Sequence, residues 1–333
     1  MSAAALPRIA IATGDPAGIG PEVTLKAALD AGVQKICRPL LVGDPAAIEL
    51  HARACGLRAD LKVVREVAQA SWSDGAVNVL EAASRDNVAL RLGAIDPAYG
   101  RASLDAARRA IKAALAREIE AVVAAPQTEK SIALAGIEFD GYPTFVARET
   151  GIDARDVYLM LCFDDYRVVN MTLHCSVRDA LAMVTRERVA HVIRATAGAL
   201  RRMGIAAPRI CVGGLNPHAG EDGLFGREEI EIIAPAIAEA RGAGIDVSGP
   251  LGADTMFHRR DCDAHIVMLH DQGHIPAKLL GFERTAALPI GTPILFASVA
   301  HGSAHDIAGK GVANPGAMIS AITRMAKAAG HGG

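Results

Sequence analysis

Three histidines lie at points in the sequence where a metal ion could be bound. His174 and His270 directly follow apolar runs typical of buried strands, and His218 lies in the glycine-rich turn 214–220. Imidazoles at neighbouring strand ends can converge on one divalent cation and leave a coordination position open for substrate, as catalytic zinc sites require. A lone histidine is more often a packing residue, but all three follow predicted strands, and His218 and His270 lie beside Pro217 and Asp271. We therefore predict a metal site with these three ligands.

A second candidate for chemistry is the segment 301–315, HGSAHDIAGKGVANP. Its glycines, proline and small residues predict an exposed loop whose backbone a flat ligand can approach closely. An acidic residue in a nucleotide loop can hydrogen-bond ribose hydroxyls and repel a 2′-phosphate, which favours NAD over NADP. Asp306 fits that role, although an ordinary surface loop is the alternative for the bare pattern.

The segment 13–22, TGDPAGIGPE, follows the first apolar run of the chain. Gly18 and Gly20 permit a tight turn, and Pro21 suits the first position of a helix. The N-terminus of that helix could bind an anionic group. The segment does not match the dinucleotide pattern GxGxxG, so a plain structural turn is an equal alternative.

Short apolar runs alternate with longer amphipathic stretches along the whole chain. This alternation is typical of βαβ units and mostly parallel sheets covered by helices. At 333 residues, the chain has room for about two domains. The predicted strands are 8–12, 40–42, 121–124, 167–171, 209–212 and 264–268, and the predicted helices include 21–29, 101–117, 187–203 and 227–240.

The composition excludes several other classes of protein. The net charge of −2 and the lack of a basic cluster argue against nucleic-acid binding. No long uncharged apolar run predicts a membrane span, and the N-terminus does not have the pattern of a signal peptide, so we expect a cytoplasmic protein. The six cysteines are scattered without a CxxC pair, and we expect each to behave as a small buried hydrophobe rather than as part of a disulfide framework.

Taken in order, these segments resemble the 4-hydroxythreonine-4-phosphate dehydrogenase family almost from end to end. The resemblance rests on TGDPAGIGPE, GLNPHAGEDGLFG, GPLGADTMF, MLHDQG and HGSAHDIAGKGVANP, together with the His174 segment. It implies two α/β/α domains with a cleft between them, like those of isocitrate and isopropylmalate dehydrogenases. We place the first domain at 1–130 plus 280–333 and the second at 131–279.

The resemblance also implies particular site residues. The metal ligands are His174, His218 and His270, at the interface of a homodimer, with zinc as the expected ion and cobalt, nickel or manganese as alternatives. Lys278 and Asp254 are the candidate catalytic residues. The residues expected to contact NAD are His301, Gly302, Ser303, Ala304, Asp306 and Asn314.

The chain departs from the phosphate-using members of the family in its substrate group. Those members have His-Thr after the glycine matching Gly141, an asparagine at Ala287 and an arginine at Phe296, whereas this chain has Tyr142-Pro143 and two apolar residues. Exchange of arginine for phenylalanine removes a bidentate donor to oxyanions. We predict that the substrate residues are Tyr142, Thr144, Lys278 and Phe296.

The terephthalate dihydrodiol dehydrogenase branch is similar to this chain at Gly-Tyr-Pro (141–143) and HDQGHIP (270–276). It implies NAD-dependent oxidation of a cis-dihydrodiol dicarboxylate, a small-molecule substrate, followed by decarboxylation to a catechol (protocatechuate). The alternative is a 4-hydroxythreonine-4-phosphate or related phosphorylated hydroxy-acid dehydrogenase. A two-domain binding protein without catalysis and a structural zinc module fit the sequence less well.

Overall fold

The computed structural model describes residues 6–72, 75–82, 88–281 and 284–330. The chain divides into two compact units: the first runs to Thr150 and resumes at Pro293, and the second is Gly151–Thr292. Within the described ranges, no helix combines the length and the apolar character that crossing a bilayer demands. The elements below are numbered in chain order.

The first unit contains a parallel sheet in the strand order β3-β4-β2-β1-β5-β12. Its helices form two groups that contact the sheet, α4 with α5 and α6, and α11 with α1 and α2. The strands are β1 (Arg8–Ala12), β2 (Arg38–Gly43), β3 (Asp60–Val64), β4 (Ala76–Glu81), β5 (Ala121–Ala124) and β12 (Leu295–Val299). The helices are α1 (Gly20–Leu29), α2 (Ala31–Ile36), α3 (Pro45–Ala54), α4 (Pro97–Leu115), α5 (Glu129–Leu134), α6 (Tyr142–Thr150) and α11 (Gly316–Gly330).

Local sequence explains where the helices of this unit begin. The side chain of Asp44 accepts hydrogen bonds from the first turn of α3, and Asp96 does the same for α4. Proline occupies the first turn of both helices, where no intrahelical hydrogen bond is lost. The apolar face of α4 packs over β1, β2 and β5 in one buried core.

The second unit contains a mixed sheet in the order β11-β6-β7-β10-β8-β9. Strand β6 pairs antiparallel with both β11 and β7, and the remaining pairs are parallel. The strands are β6 (Tyr158–Phe163), β7 (Tyr166–Asn170), β8 (Arg209–Gly213), β9 (Asp246–Leu251), β10 (Ala264–Val267) and β11 (Ala286–Ile290). The α-helices are α7 (Val177–Met183), α8 (Arg186–Arg202), α9 (Ala234–Gly242) and α10 (His270–Gly281), and a π-helical turn, Glu229–Ile233, precedes α9.

The predicted α/β class is confirmed, and every predicted strand is present. Both boundaries between the units lie later in the chain than the positions we placed at 130 and 279. The reason is packing: α5 and α6 contact α4, and their side chains join the core of the first unit. Strand β11 pairs with β6 and therefore belongs to the second unit.

Candidate functional site

The second unit brings His174 close to His270. Their ring centroids are 5.6 Å apart, and the ring of His274 stacks on His270 at 3.7 Å. The Nδ1 atom of His270 lies 2.7 Å from the carboxylate of Asp271. If Nδ1 carries the proton, this bond leaves Nε2 of His270 as the ligand atom, the arrangement common for metal-bound histidines.

Buried contacts hold the segment that carries His270. The side chain of Asn170, at the end of β7, donates to the carbonyl of His270 at 3.0 Å. The hydroxyl of Thr172 donates to the carbonyl of Met268 at 2.7 Å. Burial, with a smaller contribution from the neighbouring His270, lowers the pKa of His274 to about 4. The histidine pair therefore sits on a backbone fixed by side chains from the adjacent strand.

His218 lies in a backbone segment of unusual conformation. The φ angles of His218, Ala219, Glu221 and Asp222 are 52°, 55°, 41° and 52°, all in the left-handed region. Such a conformation costs non-glycine residues roughly 1–2 kcal/mol each. Strain of this kind persists only where the surrounding structure holds it, and it is frequent at functional sites.

Glu229 is the residue that holds the start of this segment. Its carboxylate is 2% exposed and accepts hydrogen bonds from the backbone N–H groups of Leu215 and Asn216 at 2.7 and 2.8 Å. It also accepts one from the side chain of Asn216 at 2.9 Å. Glu229 was not among the predicted site residues, because the sequence indicated only that it lies in the helix 227–240.

The three predicted ligands do not form one group within the single chain. Among the described residues, the groups whose ligand atoms all lie within 4.8 Å of one another are Cys211 with Cys262 and His265, and Glu22 with His51 and Cys55. A site completed by a second subunit, as the resemblance implies, would not need all three histidines of one chain to meet.

The expectation for the cysteines is wrong for one pair. Cys211 on β8 and Cys262 before β10 are joined in a disulfide with their Cα atoms 5.9 Å apart. The two residues are 51 positions apart, and they meet because β8 and β10 are neighbours in the sheet. Among the other cysteines, Cys175 is exposed rather than buried.

Lys278 and Asp254 are both exposed side chains of the second unit. Lys278 lies on α10, on the helix that His270 begins, and its charge helps to lower the pKa of His274. Asp254 follows β9 in the turn that begins at Gly252. Neither residue is fixed by a buried contact, so both are accessible to a ligand.

In the first unit, the turn 13–22 packs directly on the loop 301–315. The backbone N–H of Ile19 donates to the carbonyl of Ser303 at 2.8 Å. A Cβ atom on Gly18 would lie 2.7 Å from the side chain of Ser303, so glycine is required there for close approach rather than for turn geometry. The turn 13–22 and the loop 301–315, which were predicted as separate features, are therefore in direct contact.

A buried polar network fixes the same loop. Nε2 of His305 lies 3.3 Å from the carboxylate of Asp15 and 3.1 Å from the hydroxyl of Thr128. Thr128 also hydrogen-bonds the hydroxyl of Ser303 at 2.9 Å. Asp15 is fully buried, and its hydrogen bond raises the pKa of His305. Asp15 and His305 were absent from the predicted site residues.

The residues predicted to contact NAD differ in exposure. Gly302, Asp306 and Asn314 are exposed, His301 and Ala304 are half-buried, and Ser303 is buried. The side chain of Asn314 accepts from the backbone N–H of Gly316 at the start of α11. Gly302, Asp306 and Asn314 are therefore accessible to a ligand.

The substrate residues predicted in the first unit are more enclosed than expected. Phe296 is 2% exposed on β12, and its ring lies 5.1 Å from that of Tyr142. The hydroxyl of Tyr142 donates to the carbonyl of Ala125 at 3.1 Å and accepts from Gln127 at 2.6 Å. Burial raises the pKa of Tyr142. Thr144 donates to the carboxylate of Asp140 and is half-buried.

Comparison with known proteins supplies the family context. A family model described as "Pyridoxal phosphate biosynthetic protein PdxA" matches residues 35–325. The crystal structure of 4-hydroxythreonine-4-phosphate dehydrogenase from Klebsiella pneumoniae is 36% identical, covers 97% of this chain and 99% of its own, and superposes with a TM-score of 0.87.

Two further relatives are named for a different activity. The terephthalate 1,2-cis-dihydrodiol dehydrogenase structure from Burkholderia xenovorans LB400 is 40% identical, covers 97% of this chain and 98% of its own, and has a TM-score of 0.71. The 1,2-dihydroxy-3,5-cyclohexadiene-1,4-dicarboxylate dehydrogenase of a Comamonas species is 38% identical over 318 residues, with 96% of each chain covered.

Proposed function

This chain belongs to the family of the pyridoxal phosphate biosynthetic protein PdxA, and we propose that it is the member that oxidises a terephthalate-type cis-dihydrodiol dicarboxylate with NAD and a divalent metal ion. It is a dehydrogenase of this family, as the motifs predicted. The proposed product is a catechol, protocatechuate, formed when the oxidised substrate loses carbon dioxide.

The observation that carries this proposal is the apolar character of the positions where a phosphate would need partners. Phe296 is 2% exposed, and its side chain has no hydrogen-bond donor. The hydroxyl of Tyr142 is already engaged by Ala125 and Gln127. A phosphate bound there would lose its hydration without compensation, which is unfavourable by several kcal/mol.

Sequence identity to two named relatives supports this choice of substrate by a small margin. Identity is 38% and 40% to the two relatives named for a dihydrodiol and 36% to the Klebsiella enzyme named for a phosphorylated amino acid. The margin is small, so identity supports the proposal but does not carry it. A phosphorylated hydroxy acid is the second candidate substrate because the Klebsiella structure has the higher TM-score.

NAD suits the loop 301–315 of the first unit. The loop offers exposed backbone at Gly302 and an exposed carboxylate at Asp306, and its base is fixed by Ser303 and His305. The carboxylate of Asp306 would accept hydrogen bonds from ribose hydroxyls and repel a 2′-phosphate. NAD supplies the acceptor for the hydride.

A divalent ion suits the histidines of the second unit. The Asp271 carboxylate orients His270, and the strained segment presents His218 to solvent. With His174 these imidazoles make a donor set typical of zinc, and cobalt, nickel or manganese could replace it. A bound ion of this kind would stabilise negative charge on the substrate oxygen during oxidation and decarboxylation.

The second unit also has the surface expected of a homodimer that shares this site. Exposed apolar side chains lie on α7, on α10 and after the strained segment: Val177, Leu181, Leu224, Phe225, Ile275, Leu279 and Leu280. Leu279 is 80% exposed and lies one residue after Lys278. Apolar surface of this extent commonly marks a protein interface. A second copy seated there would bring its own side chains near His174 and His270.

We propose that Lys278 and Asp254 bind the substrate or transfer protons. The Lys278 ammonium can hold a substrate carboxylate or transfer a proton, because it is exposed on the helix that begins with His270. The exposed carboxylate of Asp254 can orient the site or accept the proton of the substrate hydroxyl. In the substrate, that hydroxyl lies β to a carboxylate, so its oxidation gives a β-keto acid that loses carbon dioxide and restores the aromatic ring.

The test is NADH formation by purified, metal-loaded protein with two substrates side by side. The cis-dihydrodiol of terephthalate should be oxidised, and 4-phosphohydroxy-L-threonine should not. Turnover of the phosphate ester alone would contradict the proposal. His218→Ala should abolish turnover while circular dichroism stays unchanged, and full activity after metal removal would exclude the metal role.

A further inference from the structure

A buried cluster of three potential metal ligands lies in the first unit, outside the proposed reaction site. It consists of Glu22 on α1, His51 on α3 and Cys55 directly after α3. One ligand atom from each residue lies within 4.8 Å of the others. Glu22 and His51 are fully buried and Cys55 is half-buried, so an ion could reach the cluster from the Cys55 side. His51 and Cys55 are four residues apart and therefore share one helix face.

The hydrogen bonds of His51 leave one ring nitrogen free. Nε2 lies 2.9 Å from the carbonyl of Pro16, and only a protonated nitrogen can donate to that oxygen. The neutral ring therefore has its lone pair on Nδ1. Nδ1 is buried and has no hydrogen-bond partner. A carbonyl that fixes the tautomer of the opposite nitrogen is the usual support of a metal-binding histidine.

The two oxygens of the Glu22 carboxylate have different hydrogen-bond partners. Its Oε1 atom accepts from the ammonium of Lys26 at 2.7 Å and from the backbone N–H of Ala313 at 2.9 Å. Its Oε2 atom is buried. The thiol of Cys55 is in hydrogen-bond contact with this carboxylate. Nδ1 of His51 is therefore the buried polar atom of the cluster that lacks a partner, which is unfavourable.

We propose that Oε2 of Glu22, Nδ1 of His51 and Sγ of Cys55 bind a zinc-like divalent cation. A carboxylate and a thiolate balance the two charges of the ion, and thiolate, imidazole and carboxylate are the ligands that zinc takes in proteins. Burial raises the pKa of Cys55 to about 11, so binding must release the thiol proton to solvent. The ion gives the unpaired Nδ1 atom of His51 a partner.

The site would stabilise the loop 301–315. Lys26 donates to the carbonyls of Gly311 and Ala313 at 3.0 and 2.8 Å, and Glu22 accepts from the N–H of Ala313. An ion held by Glu22 would therefore fix this part of the loop. The other cysteine-containing group is a weaker candidate because Cys211 and Cys262 are bonded to each other and have no thiolate to offer.

Cobalt(II) added to metal-free, full-length protein tests the proposal, because a thiolate bound to cobalt gives a charge-transfer absorption in the near ultraviolet. The three histidines of the proposed reaction site hold no sulfur and give no such absorption. We expect the absorption to reach the intensity of one thiolate-bound cobalt per chain in the wild type and in Cys262→Ala, and to be lost in Cys55→Ala. His51→Gln should weaken binding at least tenfold, and zinc should raise the melting temperature of the wild type by more than that of Cys55→Ala, which keeps only the histidine site of the proposed function.

Three results would overturn the proposal: no thiolate absorption in the wild type, absorption that survives in Cys55→Ala, or absorption that disappears in Cys262→Ala. The last would assign the ion to Cys211, Cys262 and His265. Circular dichroism of each variant separates loss of the ligand from loss of the fold. NADH formation is not the readout, so the result is independent of the proposed reaction.

Discussion

The side-chain amide of Gln272 donates a hydrogen bond to the backbone carbonyl of Gly214 at 3.2 Å. The same side chain accepts from the N–H groups of Met268 and Leu269 at 3.0 and 2.9 Å. Gly214 begins the turn that carries His218, and Leu269 directly precedes His270. One glutamine therefore ties together the two turns that present two of the predicted metal ligands.

Gln272→Glu should remove the hydrogen bond to Gly214 and keep those from Met268 and Leu269. The carboxylate can still accept from Met268 and Leu269 but cannot donate to Gly214. We expect metal affinity and kcat/KM to fall about 10–100-fold, as for other groups that orient metal ligands. Gln272→Ala should also lower the free energy of unfolding by about 1–3 kcal/mol because two N–H groups lose their acceptor. Metal titration and urea unfolding measure both effects, and wild-type affinity in both variants would contradict the role.

Glu229→Gln should release the strained segment around His218. The amide nitrogen must replace either Oε1, which accepts from the backbone N–H groups of Leu215 and Asn216, or Oε2, which accepts from the side chain of Asn216. We expect a loss of about 1–3 kcal/mol in the free energy of unfolding, with a loss of turnover. Glu231→Gln, an exposed neighbour paired with Arg227, is the matched control and should stay within about 0.5 kcal/mol of the wild type. Equal losses in the free energy of unfolding of the two variants would show that the hydrogen bonds of Glu229 do not stabilise this segment.

Phe296→Arg should not create a phosphate site. Phe296 is 2% exposed in the core of the first unit, so an arginine there would be buried without a partner. We expect a loss of at least about 3 kcal/mol in the free energy of unfolding or failure to fold. Phe296→Leu, the control, should cost less than about 1.5 kcal/mol. A stable arginine variant that oxidises the phosphate ester would contradict the apolar-site argument.

His305 should contribute to stability in a pH-dependent way. Its pKa is raised by the hydrogen bond to Asp15, with a smaller effect of the nearby Asp306 charge. The contribution is therefore complete below the unfolded-state pKa, about 6.5, and disappears as pH rises through the higher folded-state pKa. The free energy of unfolding of His305→Asn should fall below that of the wild type at about pH 5, and it should approach the wild-type value as pH rises well above the raised folded-state pKa.

His258→Asn is the matched control for this measurement because His258 is exposed. Urea unfolding across the pH range should show the same difference from the wild type at every pH for this control. A His305→Asn difference that is equally independent of pH would mean that the Asp15 contact does not favour the protonated imidazole.

The disulfide between Cys211 and Cys262 predicts a thiol count. Four of the six cysteines should react with a thiol reagent in denaturant without reductant, and all six after reduction. A cross-link that spans 51 residues stabilises a protein by about 4 kcal/mol in the chain-entropy account. Cys262→Ser should lose much of that stability relative to Cys175→Ser, whose cysteine is exposed. Six reactive thiols before reduction would contradict the bond.

Much of the fold could be predicted from the sequence because it depends on local patterns. Strands β1, β5 and β10 are mostly apolar, since parallel strands are buried on both faces, and each lies within one residue of its predicted ends. The motifs also identified the family, because TGDPAGIGPE, GLNPHAG and HGSAHDIAG are contiguous segments that can be recognised before any contact is known.

Only the tertiary structure could reveal the contacts that hold these segments. Asp15 meets His305 across 290 positions, and Gln272 reaches Gly214 across 58. Cys211 meets Cys262 because strand order makes β8 and β10 neighbours. Such partners are not encoded by spacing or periodicity. They depend on how strands pair and which loops then lie together, so the sequence by itself determined the elements and the chemistry they could carry, and packing decided which side chains hold that chemistry in place.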